Sequence, residues 1–361
     1  MEVNRKVSGR RATLKEVAAE LGVSASTVSN AYNRPDQLSK ELRERVFETA
    51  RRLEYGGPDP MARSLRRRRA GAIGVVYADR LSYAFADPAA VMFMQGVSVA
   101  TEEAGLGMLL VPGSPRQARV PEAAGGAVVD GFIVYCLAED DPLVDAALER
   151  RLPTVLVDQP PKESLPAVGI DDEGAARAVA EHLIGLGHTR FGVVSFGLDT
   201  DTRSGLADLE RRRSATYWPS RRRLRGYADA LEAGGISWEE TPVYECAENH
   251  PDEGRRAVEA LLSLEPRPTA ILALSDQLAL GALRAIEQRG LSVPKDVSVA
   301  GFDDIPEASR STPRLTTIRQ PHVEKGLKAG RMLIAQLNGE EAQESEILPS
   351  RLVVRGSTAP A

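Results

Sequence analysis

From Ala72 onward the chain alternates short, almost wholly apolar runs with amphipathic stretches. The apolar runs are AIGVVYA (72–78), GMLLVP (107–112), DGFIVYCL (130–137) and PTVLVD (153–158). A second series follows: TRFGVVSF (189–196), TPVYECA (241–247), TAILAL (269–274) and DVSVAGFD (296–303). Runs this short and this apolar predict buried strands, and stretches such as 173–186, 221–234, 252–264 and 276–290 predict helices. Buried strands alternating with helices predict parallel sheets joined by right-handed crossovers. Two such series predict two similar lobes with a cleft between them, and ligands in such sheets sit beyond the carboxyl ends of the strands. The stretch 199–222 fits neither period and is predicted to be a long charged loop over the cleft mouth.

The amino-terminal pattern is different. Residues 1–12 are polar and basic and are predicted to be a disordered tail. Thr13 and Glu16 have the spacing of a capping box for a first helix whose apolar face is Val17, Ala18 and Leu21, ended by Gly22. Ser24 caps a second helix with Val28 and Ala31 or Tyr32 inward. Arg34-Pro35-Asp36 reads as a loop. Ser39 caps a third helix carrying Leu42, Val46, Ala50 and Leu53. Gly56-Gly57-Pro58 is a linker, and Asp59-Pro60 starts a helix from Met61 to about Arg66 that is too short to be stable without a partner.

Charge sharpens this division. Residues 1–70 carry 16 Lys+Arg against 9 Asp+Glu, a charge of +7, while the remaining 30 and 42 give −12 to the rest of a chain of net charge −5. A basic head on an acidic body suggests that the head meets a polyanion, although a solvated basic tail would show the same charge. The two cysteines, Cys136 and Cys246, form no CxxC, which fits a reducing compartment. With no apolar leader at the start and no apolar run approaching a membrane span, a soluble cytoplasmic protein is expected. Enzymatic readings find little support: there is no GxSxG, P-loop or HExxH, Gly105-Leu106-Gly107 lacks the third glycine of a dinucleotide fingerprint, and His182, His188, His250 and His322 lack metal-ligand spacing. Neither a metal nor a cofactor is expected.

The second helix explains the head. It starts with Ala25, Ser26 and Thr27, side chains too small to build a core. A helix whose amino-terminal residues must touch base edges in a major groove about 12 Å wide needs such a face. A protein-binding three-helix module would share the pattern. TLKEVAAELGVSASTVSNAYN, ARSLRRRRAGAIGVV, EHLIGLGHTRFGVVS and SDQLALGALRAIEQRGLSVPKDVSVAGFDD resemble the LacI/GalR family of bacterial transcription regulators, in the family's order and spacing from about Thr13 to about Ser357.

The resemblance implies an all-α helix-turn-helix domain (13–56), a hinge linker with a short helix (57–70) and an α/β two-lobed, periplasmic-binding-protein-like effector and dimerisation domain (71–361). Its lobes are expected at about 71–170 with 320–345, and 171–319 with 346–361. It implies base contacts by Ala25, Ser26 and Asn30, with positioning contacts from Thr13, Ser24, Thr27, Ser29, Asn33 and Gln37. Asn30 stands where the family often has arginine, and Asn suits adenine where Arg suits guanine. In the hinge, Ala62, Arg63 and Leu65 are implied to meet DNA, Leu65 as a minor-groove wedge, with phosphate contacts from Arg66 to Arg69. Effector contacts are implied for Asp158, Arg223, Ser275 and Asp303. Arg and Asp at a cleft mouth clamp vicinal hydroxyls through paired hydrogen bonds. Asn249 replaces a position that is often aromatic, and Phe85 or Tyr217 are candidates for the missing ring. Asp276 and Asp304 fit ordinary cap or turn residues as well as ligand contacts. The implied partners are operator DNA, a sugar-like small-molecule effector and a second copy of the chain. No leucine-rich tetramerisation tail is matched, so a dimer is expected. The alternatives are a cytoplasmic sugar-binding protein or enzyme with an incidental basic head, and an architectural DNA binder with a degenerate pocket.

Overall fold

The computed structural model describes residues 12–57, 69–77, 81–113 and 120–361. It divides into two units, Met1–Ala70 and Gly71–Ala361. The hinge residues Ala62, Arg63 and Leu65, with Arg66 to Arg68 and the helix expected there, lie outside the described residues, as does the tail up to residue 11.

In the first unit the capping chemistry acts as the sequence predicts. Helix α1 (Leu14–Leu21) has both halves of the Thr13–Glu16 box: the Glu16 N–H donates to Thr13 Oγ1 at 3.3 Å and its carboxylate accepts the Thr13 N–H at 2.6 Å. Gly22, at φ +66°, ends it in the left-handed conformation that favours glycine. Helices α2 (Ala25–Asn33) and α3 (Lys40–Arg52) are capped by the Ser24 and Ser39 hydroxyls. Val17, Ala18, Val28, Ala31 and Val46 form the small core, with the Tyr32 and Phe47 rings edge-to-face at 5.0 Å beside it. Pro35–Gln37, expected as a loop, makes one turn of 3₁₀ helix.

In the second unit every apolar run contributes a strand. The first sheet comprises β1 (Ala72–Tyr77), β2 (Gly107–Pro112), β3 (Phe132–Tyr135), β4 (Thr154–Val157), β5 (Ala167–Ile170) and β12 (Glu346–Leu348), in the order β12-β5-β4-β3-β1-β2 and parallel throughout. The second comprises β6 (Phe191–Ser195), β7 (Gly205–Leu206), β8 (Val243–Glu245), β9 (Ala270–Ala273) and β10 (Ser298–Ala300), in the order β10-β9-β6-β8-β7, with only β7 antiparallel. A ribbon of β11 (Thr317–Arg319) and β13 (Arg351–Val353) completes the fold. The lobe boundary needs one correction: Glu346–Leu348, assigned to the second lobe, pairs with β5 of the first. Its backbone therefore closes the first sheet before the chain crosses over.

Helices α4 (Pro88–Ala104), α5 (Val120–Gly126), α6 (Pro142–Glu149) and α11 (His322–Leu337) accompany the first sheet. Helices α7 (Asp172–Gly185), α8 (Trp218–Ala233), α9 (Pro251–Leu261) and α10 (Asp276–Gln288) accompany the second. The contact between α4 and α11 relies on glycine: a Cβ on Gly96 would lie 1.9 Å from the Val323 carbonyl oxygen, and one on Gly326 2.0 Å from that of Phe93. The two backbones touch where side chains are missing on both sides.

The segment 199–222 is not the loop its charge suggested. It holds β7, a helical turn at Leu209–Arg213 and the start of α8. Its anchor is Arg211, which reaches both carboxylate oxygens of the fully buried Glu245 at 2.8 and 2.9 Å and also pairs with Asp199 and Asp201. Among the described residues no helix is long and apolar enough to cross a membrane.

Candidate functional site: an exposed small-residue helix and an acidic interlobe cleft

The first candidate surface is the start of α2. Ser26 is exposed, while Ala25, Ser29 and Asn30 are half-buried. The Ser24 hydroxyl is shared among Ser26 Oγ at 2.6 Å, Thr27 Oγ1 at 2.8 Å and the Thr27 N–H at 3.0 Å, so the three residues form one short polar cluster at the helix start. The Asn30 amide donates to Gln37 Oε1 at 3.3 Å, which holds these two side chains together. Asn33 turns back instead, donating to the Ser29 carbonyl at 2.9 Å and to its hydroxyl at 3.2 Å. Thr13 is engaged in the capping box.

The second is a cavity of about 170 Å³ between the lobes of the second unit. Its walls come from the carboxyl ends of both sheets: Tyr77 ends β1, Tyr135 ends β3, Asp158 follows β4, Phe196 follows β6, Asn249 lies beyond β8 and Asp303 beyond β10. Cys136, Asp158 and Asp303 have φ of +54°, +52° and +124°, conformations that non-glycine residues seldom adopt and that cluster at functional sites. The lobes also touch at the rim. Tyr83 donates its hydroxyl to the Asn249 carbonyl at 2.9 Å, the Glu139 N–H donates to the Thr216 carbonyl at 3.1 Å, and Arg221 pairs with Glu139 at 2.7 Å.

A chain of buried charges runs behind the cavity. Arg223 donates through Nε to Asp172 Oδ1 at 2.8 Å and through Nη1 to the Leu274 carbonyl at 2.6 Å, and lies 3.7 Å from Asp303. Its guanidinium sits 3.8 Å from the centre of the Phe302 ring. Gln320 donates to Asp303 Oδ1 at 2.6 Å and accepts from Lys325 Nζ at 2.9 Å, and Lys325 also holds both oxygens of Asp158 at 2.9 and 2.8 Å. The relay thus joins Asp158 at the end of the first sheet to Asp303 and Asp172 beside the second. Burial pushes Asp303 up to about 7 against the opposing pull of Arg223, and Asp87 up to about 6 against its backbone hydrogen bonds to Ala89 and Ala90. Burial, with Lys325 and Arg223 nearby, holds His322 well below the ordinary imidazole value. Cys136 is raised to about 12, mainly by burial, so the thiol stays protonated.

Of the predicted effector residues, Asp158, Arg223, Asn249 and Asp303 line the cavity together. Ser275 does not. It is fully buried, caps α10 through the Leu278 N–H and hydrogen-bonds the Asn249 side chain, so it supports a wall residue. Phe85 is 68 % exposed and is not a wall residue; the rings are Tyr77, Tyr83, Tyr135, Phe196 and, as one candidate suggested, Tyr217. Asp276 and Asp304 are structural: Asp276 accepts from Thr317 Oγ1 and the Ile305 N–H, and Asp304 pairs with Arg319 and Arg355. Sequence reasoning missed Asp87, Asp172, Gln320, His322 and Lys325. Among the described residues, no group of three or more His, Cys, Asp or Glu is placed to hold a metal ion.

Both units match known protein families. Residues 13–57 match the family of bacterial regulatory proteins of the lacI type, and residues 180–358 match the periplasmic binding protein-like domain. The HTH-type transcriptional regulator Rv3575c of Mycobacterium tuberculosis is 47 % identical over 354 residues, covering 97 % of each chain. The structure of the transcriptional regulator CelR in complex with cellobiose is 31 % identical, with a TM-score of 0.70, over 96 % of this chain and 100 % of that one. The crystal structure of the lac repressor dimer bound to operator and the anti-inducer ONPF superposes with a TM-score of 0.75 at 27 % identity, over 97 % of this chain and 100 % of the other.

Proposed function

The chain belongs to the LacI family of bacterial transcriptional regulators, and from that premise we propose that it is a dimeric repressor that binds a pseudo-palindromic operator and is controlled by a small-molecule effector, a sugar or related metabolite, held between its lobes. The observation that carries this reading is the convergence of Asp158, Arg223, Asn249 and Asp303 on one interlobe cavity. Carboxylates and an arginine held in fixed geometry among aromatic rings suit a ligand rich in hydroxyls. The CelR–cellobiose complex supports the same class of effector. A dimer is supported by exposed apolar residues on one edge of the first lobe, namely Val91 and Val99 on α4 and Leu109 on the edge strand β2. It is supported also by the lac repressor dimer on its operator. A symmetric dimer reads two half-sites, so its operator is a pseudo-palindrome.

The effector acts through linkage: it shifts operator affinity only as far as it binds one arrangement of the lobes better than the other. The test is selection of genomic DNA fragments by the purified protein at near-physiological salt, followed by sequencing. The expected result is a few enriched palindromes, with adenine preferred at the position read by Asn30. Enrichment that is weak, and insensitive to a panel of sugars in a repeat selection, would support an architectural DNA binder instead.

A further inference from the structure

A second cavity, of about 300 Å³, shares only Asp158 with the first among the described lining residues. It too lies between the lobes. β5 and β12 of the first sheet form one wall, and the starts of α7 and α8, through Asp172 and Trp218, form the other. The Arg223–Asp172 ion pair joins the two cavities, since Arg223 lines the first and Asp172 the second. Gly169 lies in the floor of the second, on the interior strand β5 and opposite Ile347 of β12. Its backbone does not require glycine: its φ is not positive, and a Cβ there would meet nothing closer than Asp158 Oδ1 at 3.6 Å, an ordinary contact. A glycine inside a regular strand often marks a place that a ligand or another backbone approaches closely. No backbone approaches Gly169, and the cavity lies over it.

Two oxygens of buried wall residues lack a partner. Gln159, 6 % exposed, donates Nε2 to the Leu137 carbonyl at 2.9 Å, but among the described residues no donor reaches its Oε1. Asp172, 3 % exposed, accepts from Arg223 on Oδ1, and no donor reaches Oδ2. Polar atoms of buried residues are nearly always paired. Both unmatched atoms are acceptors, so the partner they lack is a donor. Asp158 and Asp171 border the same cavity. Arg222 is the only arginine or lysine among its described lining residues; it pairs with Glu173 at 2.8 Å, and its guanidinium lies 5.3 Å from the centre of the Trp218 ring. Three carboxylates against one paired guanidinium favour a cation. Pro161, Ala167, Ile347 and the Trp218 ring offer apolar surface beside them. A donor-bearing cation with an apolar body matches both kinds of wall.

We propose that this second cavity is a binding site for a small amphipathic amine, whose ammonium group donates to Asp172 and Gln159 and whose apolar body lies over Gly169 and Ile347. The full-length protein is titrated by calorimetry with phenethylamine as the probe. Three relatives of the probe accompany it: phenethyl alcohol, which lacks the charge; hydrocinnamate, which reverses it; and methylamine, which lacks the apolar body. Three variants are compared. Gly169→Val puts a side chain into the cavity, Ile347→Lys puts a like charge on its rim, and Asp303→Asn alters the first cavity instead. Circular dichroism checks that each variant folds.

Phenethylamine is expected to bind, the alcohol and methylamine each to bind at least about tenfold more weakly, and hydrocinnamate to bind weakest. Gly169→Val and Ile347→Lys should each weaken the amine about tenfold, with Asp303→Asn leaving it unchanged. Ile347 is 67 % exposed, so its variant carries the test even if Gly169→Val does not fold. An amine weakened by Asp303→Asn but not by the other two variants sits in the first cavity, which would overturn the second site. Unchanged affinity in all three variants, or no binding of the amine at millimolar concentration, would overturn it as well. Equal binding of the alcohol would remove the charge contact with Asp172, and equal binding of methylamine the apolar one; either overturns the assigned class, as would tighter binding of hydrocinnamate.

Discussion

Lys325 offers the most direct test of the charge relay. Its side chain is 1 % exposed, and its three ammonium hydrogens have three acceptors, the two Asp158 oxygens and Gln320 Oε1. Lys325→Met keeps the length of the stem and deletes the charge. It leaves the Asp158 carboxylate, itself only 10 % exposed, without its counter-ion, and Gln320 Oε1 without its donor. Removing one partner of a buried pair costs about 3–5 kcal/mol. Asp158 borders the cavity, where water can take up part of the lost interaction, so the lower end, about 3 kcal/mol, is expected. Asp158→Asn is the complementary change. Asp158 has a φ of +52°, which asparagine tolerates, so that variant adds little backbone strain. The double variant should cost at least about 2 kcal/mol less than the two single changes together, because neither charge is then stranded. Urea unfolding followed by tryptophan fluorescence reports on the correct unit, since both tryptophans, Trp218 and Trp238, lie in it. A cost below about 1 kcal/mol for Lys325→Met, or additive single variants, would mean that the pair behaves as a solvated surface bridge and that the relay does not exist as described.

Three further predictions test other parts of the molecule. Asp87, with its folded-state value raised to about 6 by burial, keeps its proton longer than the unfolded chain does, so its contribution is complete below about pH 4 and is lost as pH rises through 6; Asp87→Asn, which retains an N-cap for α4, should gain up to about 3 kcal/mol relative to the wild type across that window, and parallel stability–pH curves would refute the assignment. Gly96→Ala should destabilise the second unit by at least about 2 kcal/mol in the same urea assay, because the new methyl collides with the Val323 carbonyl; an Ala variant of wild-type stability would mean that α4 and α11 separate at little cost. Leu65→Ala should weaken operator binding by about 1–3 kcal/mol in a fluorescence-anisotropy titration, and unchanged affinity for specific DNA would remove the minor-groove wedge from the mechanism.

What could be read from the sequence follows from how local the determining physics is. The eight short apolar runs became strands because burial on both faces writes an uninterrupted apolar stretch into the chain, and only β2, at the sheet edge, keeps that stretch while leaving Leu109 exposed. β5 and β12 escaped notice: Ala167–Ile170 alternates half-buried and buried positions over only four residues, and Glu346–Leu348 has just three. The segment 199–222 read as loop because its order comes from an ion pair to Glu245, 34 residues from Arg211, which no local period records. The cleft divides in the same way. Asp158 and Asp303 came from the family resemblance, and both sit beyond the carboxyl ends of buried strands, where such sheets open on a cleft. Of the two rings offered in place of the one missing at Asn249, Tyr217 lines the cavity and Phe85 does not, and Ser275 caps a helix beside the wall. Lys325 and His322 were the hardest, for a physical reason. Lysine in an amphipathic helix ordinarily faces water, and a histidine at a helix start ordinarily finds a partner. Only the packing of α11 against the first sheet buries one as a counter-ion and leaves the other facing the cavity unmatched. The two residues that depart furthest from the local rule thus sit on the cavity wall, His322, and just behind it, Lys325. Lys325→Met removes the departure at the second of these and should lower stability, because it strands the Asp158 carboxylate that only this packing brings to the ammonium.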